Sequence, residues 1–278
     1  MEITLPFTYD FDRTLERLSL DPLHAIDLSE KAVRLPMPEG NIVKVRATGS
    51  TYQPSFEITG AKPDQLEEIK HIFHFDRSLE PVYEHYQKTN LAHLFHEHQG
   101  TPLVREFSLY GSLMKSIIHQ QLNLSFAHTL TSRFVQNFGE EKEGVWFYPN
   151  AEKIAKLEPA DLRELQFSTR KAEYVIGLSK AIAAGTLRLD EMENRTDEEI
   201  TSELIAYRGI GLWTAQSFLM FGLGRPNLFP LADIGLQNAL KIEWQRSEKP
   251  KKEEIMAHLP DWEPYLSYAA LYLWRSIE

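Results

Sequence analysis

The chain predicts a mostly α-helical protein with a small α+β domain at its N-terminus. Three observations carry that expectation. Two-residue alternation of apolar and polar side chains is confined to the stretch before Gly60; beyond it apolar residues recur at three- and four-residue spacing; and glycine or proline cuts the helical stretches at Gly100-Thr101-Pro102, Gly185, Gly209, Gly211 and Gly224. With 278 residues, 42% of them apolar, the chain can bury a core of two or three domains or subdomains. The expected division is an N-terminal α+β domain of short antiparallel strands over 1–100 and helical domain(s) over 101–278.

The elements follow in order. Lys31 to Leu35, Ile42 to Thr48 and Ser55 to Gly60 alternate as short strands bounded by Pro36, Pro38, Gly40, Gly49 and Gly60. Asp12 to Leu20 and Asp64 to Phe73 predict helices, the second with Pro63 before its start, and Arg77 to His98 continues helically. Phe107 to Phe138 is a long amphipathic region broken once, at His119-Gln120-Gln121-Leu122-Asn123. Taken alone, that break is a helix end with Asn123 capping the next helix. Ala151 to Leu157, Asp161 to Leu165 and Thr169 to Ala184 predict further helices, the last closed by Gly185. Thr196-Asp197-Glu198-Glu199 is a capping signature. It opens a two-helix unit over 197–223 whose joint is Arg208-Gly209-Ile210-Gly211. Two glycines around one apolar residue allow a tight hairpin by taking positive φ, and the second helix begins there with bare amides, an anion site at the positive end of its dipole. Lys249 to Glu254 reads as a charged, exposed break, and an aromatic helix over 265–277 closes the chain.

Composition removes several classes. No apolar run approaches the length of a membrane span, and the acidic start lacks a basic end followed by an apolar core, so a cytoplasmic protein with no membrane partner is expected. The absence of cysteine excludes disulfides and thiolate-held clusters. His93, His96 and His98 lie close in sequence, but without cysteine or a convincing acidic partner they read as solvated surface groups. The net charge of −10 disfavours a general nucleic-acid binder, yet its distribution softens the point. Seven acids lie between Asp190 and Glu203, whereas from Leu204 to Leu240 the single acid is Asp233, opposed by Arg208 and Arg225.

Asp233 follows Phe229-Pro230 and opens a run with an apolar 234, 236, 240 face, so by itself it reads as a helix N-cap. Joined to the hairpin it reads differently. The strings L-x-x-Y-x-G-I-G-x-W-T-A and F-P-x-x-D-x-G resemble the helix-hairpin-helix DNA glycosylase superfamily, specifically its 3-methyladenine DNA glycosylase II (AlkA) type. The resemblance reaches into the N-terminal α+β region with less specific residues. It implies a helix-hairpin-helix DNA glycosylase fold and a monomeric base excision repair enzyme acting on damaged bases in duplex DNA. No cofactor would be required.

Further roles follow from the resemblance. An enzyme that cuts a glycosidic bond must first extrude the nucleotide, and the I-I-x-Q-Q-L-N string is similar to the segment that fills the vacated stack, with Gln121 or Leu122 as the wedge and Gln120 and Asn123 beside it. DNA-binding residues at the hairpin would be Arg208, Gly209, Ile210, Gly211 and Thr214. Asp233 would be the catalytic carboxylate that stabilises positive charge on the sugar and directs water. Strand-cleaving relatives carry a lysine where this chain has Trp213, so water is the expected nucleophile and an abasic site the product. Trp213, Trp274 and Ser217 would line the substrate pocket, the indoles stacking on electron-poor alkylated purines. Ser217 and Ile234 replace tyrosines of the type, and Arg17 falls where an aromatic might lie. The backbone carbonyls of Ile205, Tyr207 and Ile210 would hold a monovalent cation, Na+ or K+, bridging to a phosphate. The alternatives are an enzyme of the same fold for an oxidised or deaminated base, a non-catalytic DNA-anchoring module, or a helical protein with no DNA role.

Overall fold

A computed structural model describes residues 1–277. The chain opens with β1 (Glu2–Thr4), α1 (Phe11–Leu18), β2 (Ala25–Asp27), β3 (Ala32–Pro36), β4 (Ile42–Ala47) and β5 (Ser55–Thr59). These strands form one antiparallel sheet in the order β1-β5-β4-β3-β2. Its register sets Val33 opposite Val45 and Val45 opposite Ile58, so period-two alternation buries Val33, Leu35, Val43, Val45, Phe56 and Ile58 on one face. Arg46 and Glu57 pair across the other at 2.7 Å.

Helices follow as α2 (Leu66–Phe73), α3 (Glu80–Tyr86), α4 (Ala92–Glu97), α5 (Leu109–His119) and α6 (Leu124–Phe138). The continuous helix expected over 77–98 is in fact two short ones. Thr89 breaks it: its hydroxyl donates to Tyr86 O at 3.0 Å and accepts from Leu91 N at 3.2 Å, drawing the backbone out of the helical pattern. After α6 comes a small hairpin, β6 (Glu140–Lys142) and β7 (Val145–Phe147), turned by Glu143 and Gly144, both at positive φ. The sequence reading missed it because its strands are three residues long.

The remaining helices are α7 (Ala151–Ile154), α8 (Pro159–Glu164), α9 (Thr169–Ala183), α10 (Asp197–Ile205), α11 (Leu212–Phe221), α12 (Ile234–Glu243), α13 (Lys252–Trp262) and α14 (Leu266–Arg275). The charged break expected at 249–254 is non-helical through Lys251, and from Lys252 it becomes the first turn of α13. Glu254 accepts the Lys251 amide at 2.7 Å, a carboxylate cap on that helix, and Ile255 and Trp262 are buried along it.

Two hydrophobic cores result. One spans the sheet, α1 to α4 and α12 to α14; the other is built on α5 to α11. The first joins residues far apart in sequence: Tyr86, Phe95 and Tyr272 stack at centroid distances of 3.7 and 4.1 Å, the Tyr86 hydroxyl donates to Trp262 O, and Tyr272 donates to Thr101 O. The two lobes meet along α11, α12 and α14.

Candidate active site and DNA-facing hairpin

Thr196 and Glu199 cap α10 reciprocally: the Glu199 amide donates to Thr196 Oγ1 and the Thr196 amide to Glu199 Oε2. After Ile205 the chain turns tightly, with the Ile210 amide donating to Tyr207 O at 3.2 Å. The two glycines there play different parts, which corrects the expectation that both take positive φ. Gly209 has φ +99°, and a Cβ on it would lie 2.2 Å from Cγ of Tyr174. Gly211 is extended (φ −99°, ψ 174°), serves as the N-cap of α11 without a capping side chain, and would have nothing within 4 Å of a Cβ. Its bareness leaves the first amides of α11 open to an anion.

The side chains around the hairpin sort by direction. Arg208 is exposed, stacks over Tyr174 at 5.7 Å and pairs with Glu173 at 3.2 Å. Ile210 and Thr214 are buried. Arg225 does not face outward as the charge count implied: its guanidinium donates to the carbonyls of Met192, Glu193 and Arg195 and pairs with Asp197, satisfying carbonyls around the loop that leads into α10. Ser217 is buried and donates to Trp213 O within its own helix.

The 119–123 break is tied to this hairpin. Gln120 Nε2 donates to Gly209 O at 2.8 Å and to Thr214 Oγ1 at 2.7 Å. From α9, Lys171 Nζ donates to Ile118 O at 2.5 Å and Gln120 O at 3.0 Å; burial holds its amine down at about 8. Neither link was legible beforehand, because each joins segments some 50 or 90 residues apart. Between them Gln121 stands exposed in the left-handed region (φ +57°), while Leu122 packs partly on the second core. Asn123 caps α6, accepting the Phe126 amide at 2.9 Å.

Asp233 is the N-cap of α12, and more. Its Oδ1 accepts the Leu236 amide at 2.9 Å and the indole N–H of Trp274 at 3.0 Å; Oδ2 accepts the indole N–H of Trp213 at 2.9 Å. Three donors fix the carboxylate, one indole reaching it from each lobe. A carboxylate offers roughly four lone-pair positions. Among the described residues one therefore stays open on Oδ2, for water or a sugar. Gly235, given no role from sequence, packs tightly here: a Cβ would lie 3.0 Å from Asp233 Oδ1 and 3.1 Å from Trp274 Nε1, so those side chains would have to give by a few tenths of an ångström. Phe221 was also unforeseen. It lies 5.8 Å from Trp274, with the Arg17 guanidinium 5.4 Å above it, so the position expected to hold an N-terminal aromatic brings a cation against an aromatic wall. Ile234 is exposed.

The three clustered histidines separate: His93 meets Glu243 at 3.1 Å, His96 meets the Tyr83 hydroxyl, and His98, contrary to expectation, is buried beside Arg13. Among the described residues no group of histidines and acids could hold a metal ion.

A hairpin suited to a phosphate and a carboxylate suited to chemistry at a sugar carbon occur together in one class, the helix-hairpin-helix DNA glycosylases. Comparison with known proteins agrees. Residues 114–264 match the family described as "HhH-GPD superfamily base excision DNA repair protein". The chain belongs to this superfamily. It is 56% identical over 276 residues to YfjP of Bacillus subtilis, provisionally named a DNA-3-methyladenine glycosylase, covering 97% of this chain and 96% of that one. The DNA-3-methyladenine glycosylase of the same organism is 35% identical over 74% of this chain and 71% of its own. In structure, the 3-methyladenine DNA glycosylase from Archaeoglobus fulgidus superposes with a TM-score of 0.83 over 99% of this chain and 97% of that one; at 23% identity this bears on the fold alone.

Proposed function

We propose that the protein is a monofunctional DNA glycosylase that releases alkylated purines of the 3-methyladenine and 7-methylguanine kind from duplex DNA and leaves an abasic site. The observation that carries the reading is Asp233, gripped by Trp213 and Trp274 beside the hairpin. In a duplex the glycosidic bond is stacked away, so the nucleotide is extruded and Gln121, the exposed apex of the 119–123 loop, takes its place. Departure of the base leaves positive charge on the sugar. The carboxylate, already oriented by three N–H donors, stabilises that charge and directs water through the open position on Oδ2. The names of the two Bacillus relatives support the choice of substrate.

Trp213 occupies the place of the lysine of strand-cleaving relatives, and an indole forms no Schiff base. Water is thus the nucleophile. Gly211 and Thr214, with the first amides of α11, offer backbone N–H groups to a phosphate beside Gly209 and Ile210, whose turn places them, and Arg208 adds charge at its edge. The carbonyls of Ile205, at the end of α10, of Tyr207 in the turn, which also accepts the Ile210 amide, and of Ile210, just before α11, suit a monovalent cation; replacing K+ by tetramethylammonium would then weaken duplex binding. The protein acts as a monomer in the cytoplasm, its mass in solution being checked by light scattering. No helix among the described residues is long and apolar enough to cross a membrane.

The test is base release from methylated duplex DNA, with free bases and strand breaks followed separately. The reading requires free methylpurines and breaks only after alkali treatment. Breaks without alkali, or no release of methylpurines at all, would overturn it.

A further inference from the structure

We propose that the outer face of α6 is a second DNA-backbone surface, holding the strand opposite the extruded nucleotide. The proposal rests on the reading above only for which strand the hairpin takes. The 119–123 loop has two flanks. Gln120 ties one to the hairpin. On the other, the chain passes through Leu122 and Asn123 into α6, whose face borders an open groove of about 820 Å³ that no hairpin residue lines. Gln121 stands between them.

The groove is built for a polyanion. Its polar side chains form two rows at four-residue spacing along α6, Ser125-Thr129-Arg133 and His128-Ser132-Gln136, and no acid lines it among the described residues. A four-residue step is about 6 Å, so each row runs about 12 Å. At about 3.4 Å per nucleotide that length spans roughly three or four nucleotides of one strand. Hydroxyls and an arginine are the groups that contact phosphate and sugar without reading sequence. Beneath its surface, His128 Nδ1 and Ser132 Oγ are buried without a hydrogen-bond partner among the described residues. Arg133 is steadied by donating to Gln166 Oε1 at 2.5 Å.

Charge supports the same occupant. The chain carries 40 acids, yet none lies between Phe107 and Gly139, the stretch that holds both the loop and α6. That depletion repeats the one around the hairpin. An acidic peptide would also meet a groove without acids, but continuity with the loop that carries Gln121 favours DNA. Leu20 and Leu124, both exposed at its edge, offer apolar contact to sugars.

The experiment compares Thr129→Glu and Arg133→Glu with the wild type in binding an abasic-site duplex and the same strand alone, over a salt series. Each variant is expected to weaken duplex binding about tenfold and lower the salt slope by about one, with single-strand binding unchanged. Equal loss on both substrates, or no loss on the duplex, would overturn the surface. Thr129→Val, which adds no charge, should bind the duplex within about threefold of wild type; a tenfold loss there would place the effect in folding. Because binding is read separately from base release, a protein that binds as described but releases no methylpurine would sink the functional reading and leave this one standing. Wild type unable to tell duplex from single strand would remove both.

Discussion

The lobe of α5 to α11 takes its core almost wholly from one unbroken stretch, Leu113 to Leu223, whereas the lobe with the sheet draws on Leu5 to Phe107 and again on Met220 to Leu273. The contiguous lobe carries the hairpin and the Gln121 loop, which on the proposed reading hold DNA. The discontinuous one carries Asp233 and Trp274 and becomes complete only when α12 to α14 close on α3 and α4. On that reading, holding DNA and cutting its glycosidic bond fall to different lobes, with the Trp213–Asp233 bond crossing between them. Loss of chemistry should then be separable from loss of binding.

The largest effect tests that separation. Asp233→Asn should lower base release by about a thousandfold, the scale of removing a group that stabilises transition-state charge, while duplex affinity stays within about threefold of wild type. Affinity falling in parallel with release would join the two tasks. Gly209→Ala should do the reverse within the contiguous lobe. A methyl group aimed at the Tyr174 ring from a residue at φ +99° should destabilise by about 2–5 kcal/mol, seen as a lowered Tm, and weaken duplex binding more than tenfold. A variant that binds normally would show that the hairpin does not anchor DNA.

Smaller effects sharpen the seam. Trp213→Phe and Trp274→Phe each remove one N–H from the carboxylate, worth about 1.5–3 kcal/mol for a bond to a charged group, so each should slow base release roughly ten- to a hundredfold in single-turnover kinetics. Equal losses would mean that both lobes hold Asp233; a loss confined to Trp213 would assign its orientation to the contiguous lobe.

The smallest effect is pH-dependent stability. Burial, with nearby cations second, holds His119 of the contiguous lobe and His74 of the other down to about 3. Both therefore stay neutral in the fold while the unfolded chain takes protons below about pH 6.5. The stability they contribute is complete above that value and is lost as pH falls toward 3, by about 1.4 kcal/mol per pH unit for each. Thermal unfolding between pH 4.5 and 7.5 should show a shallower acid limb in either His119→Gln or His74→Gln. Flattening in only one of them would show that acid opens that lobe first.

Much of the contiguous lobe was legible because its signals are local. Thr196 and Glu199, three residues apart, fixed the start of α10; Asn123 marked the start of α6; Gly209 marked the turn, its neighbour Gly211 failing the expectation only in its φ. Side chains of the same lobe whose partners lie far off in sequence were less legible. Arg225 was counted as a surface cation, but a long side chain settles where carbonyls need donors, and those of Met192, Glu193 and Arg195 become its partners only after folding. Ser217 and Thr214 turn inward for a related reason: their hydroxyls meet Trp213 O and the Gln120 amide.

By itself the sequence determined the helical class, the N-terminal antiparallel strands, the hairpin and the carboxylate at position 233, since periodicity, caps and glycine act over a few residues. Only the tertiary structure decided that Trp213 and Trp274 converge on that carboxylate, that Gly235 packs closely against both Asp233 and Trp274, and that Gln120 is spent on the hairpin while Gln121 stands exposed. Those outcomes depend on segments up to about ninety residues apart being packed to within a hydrogen bond's length, and no local pattern encodes that distance.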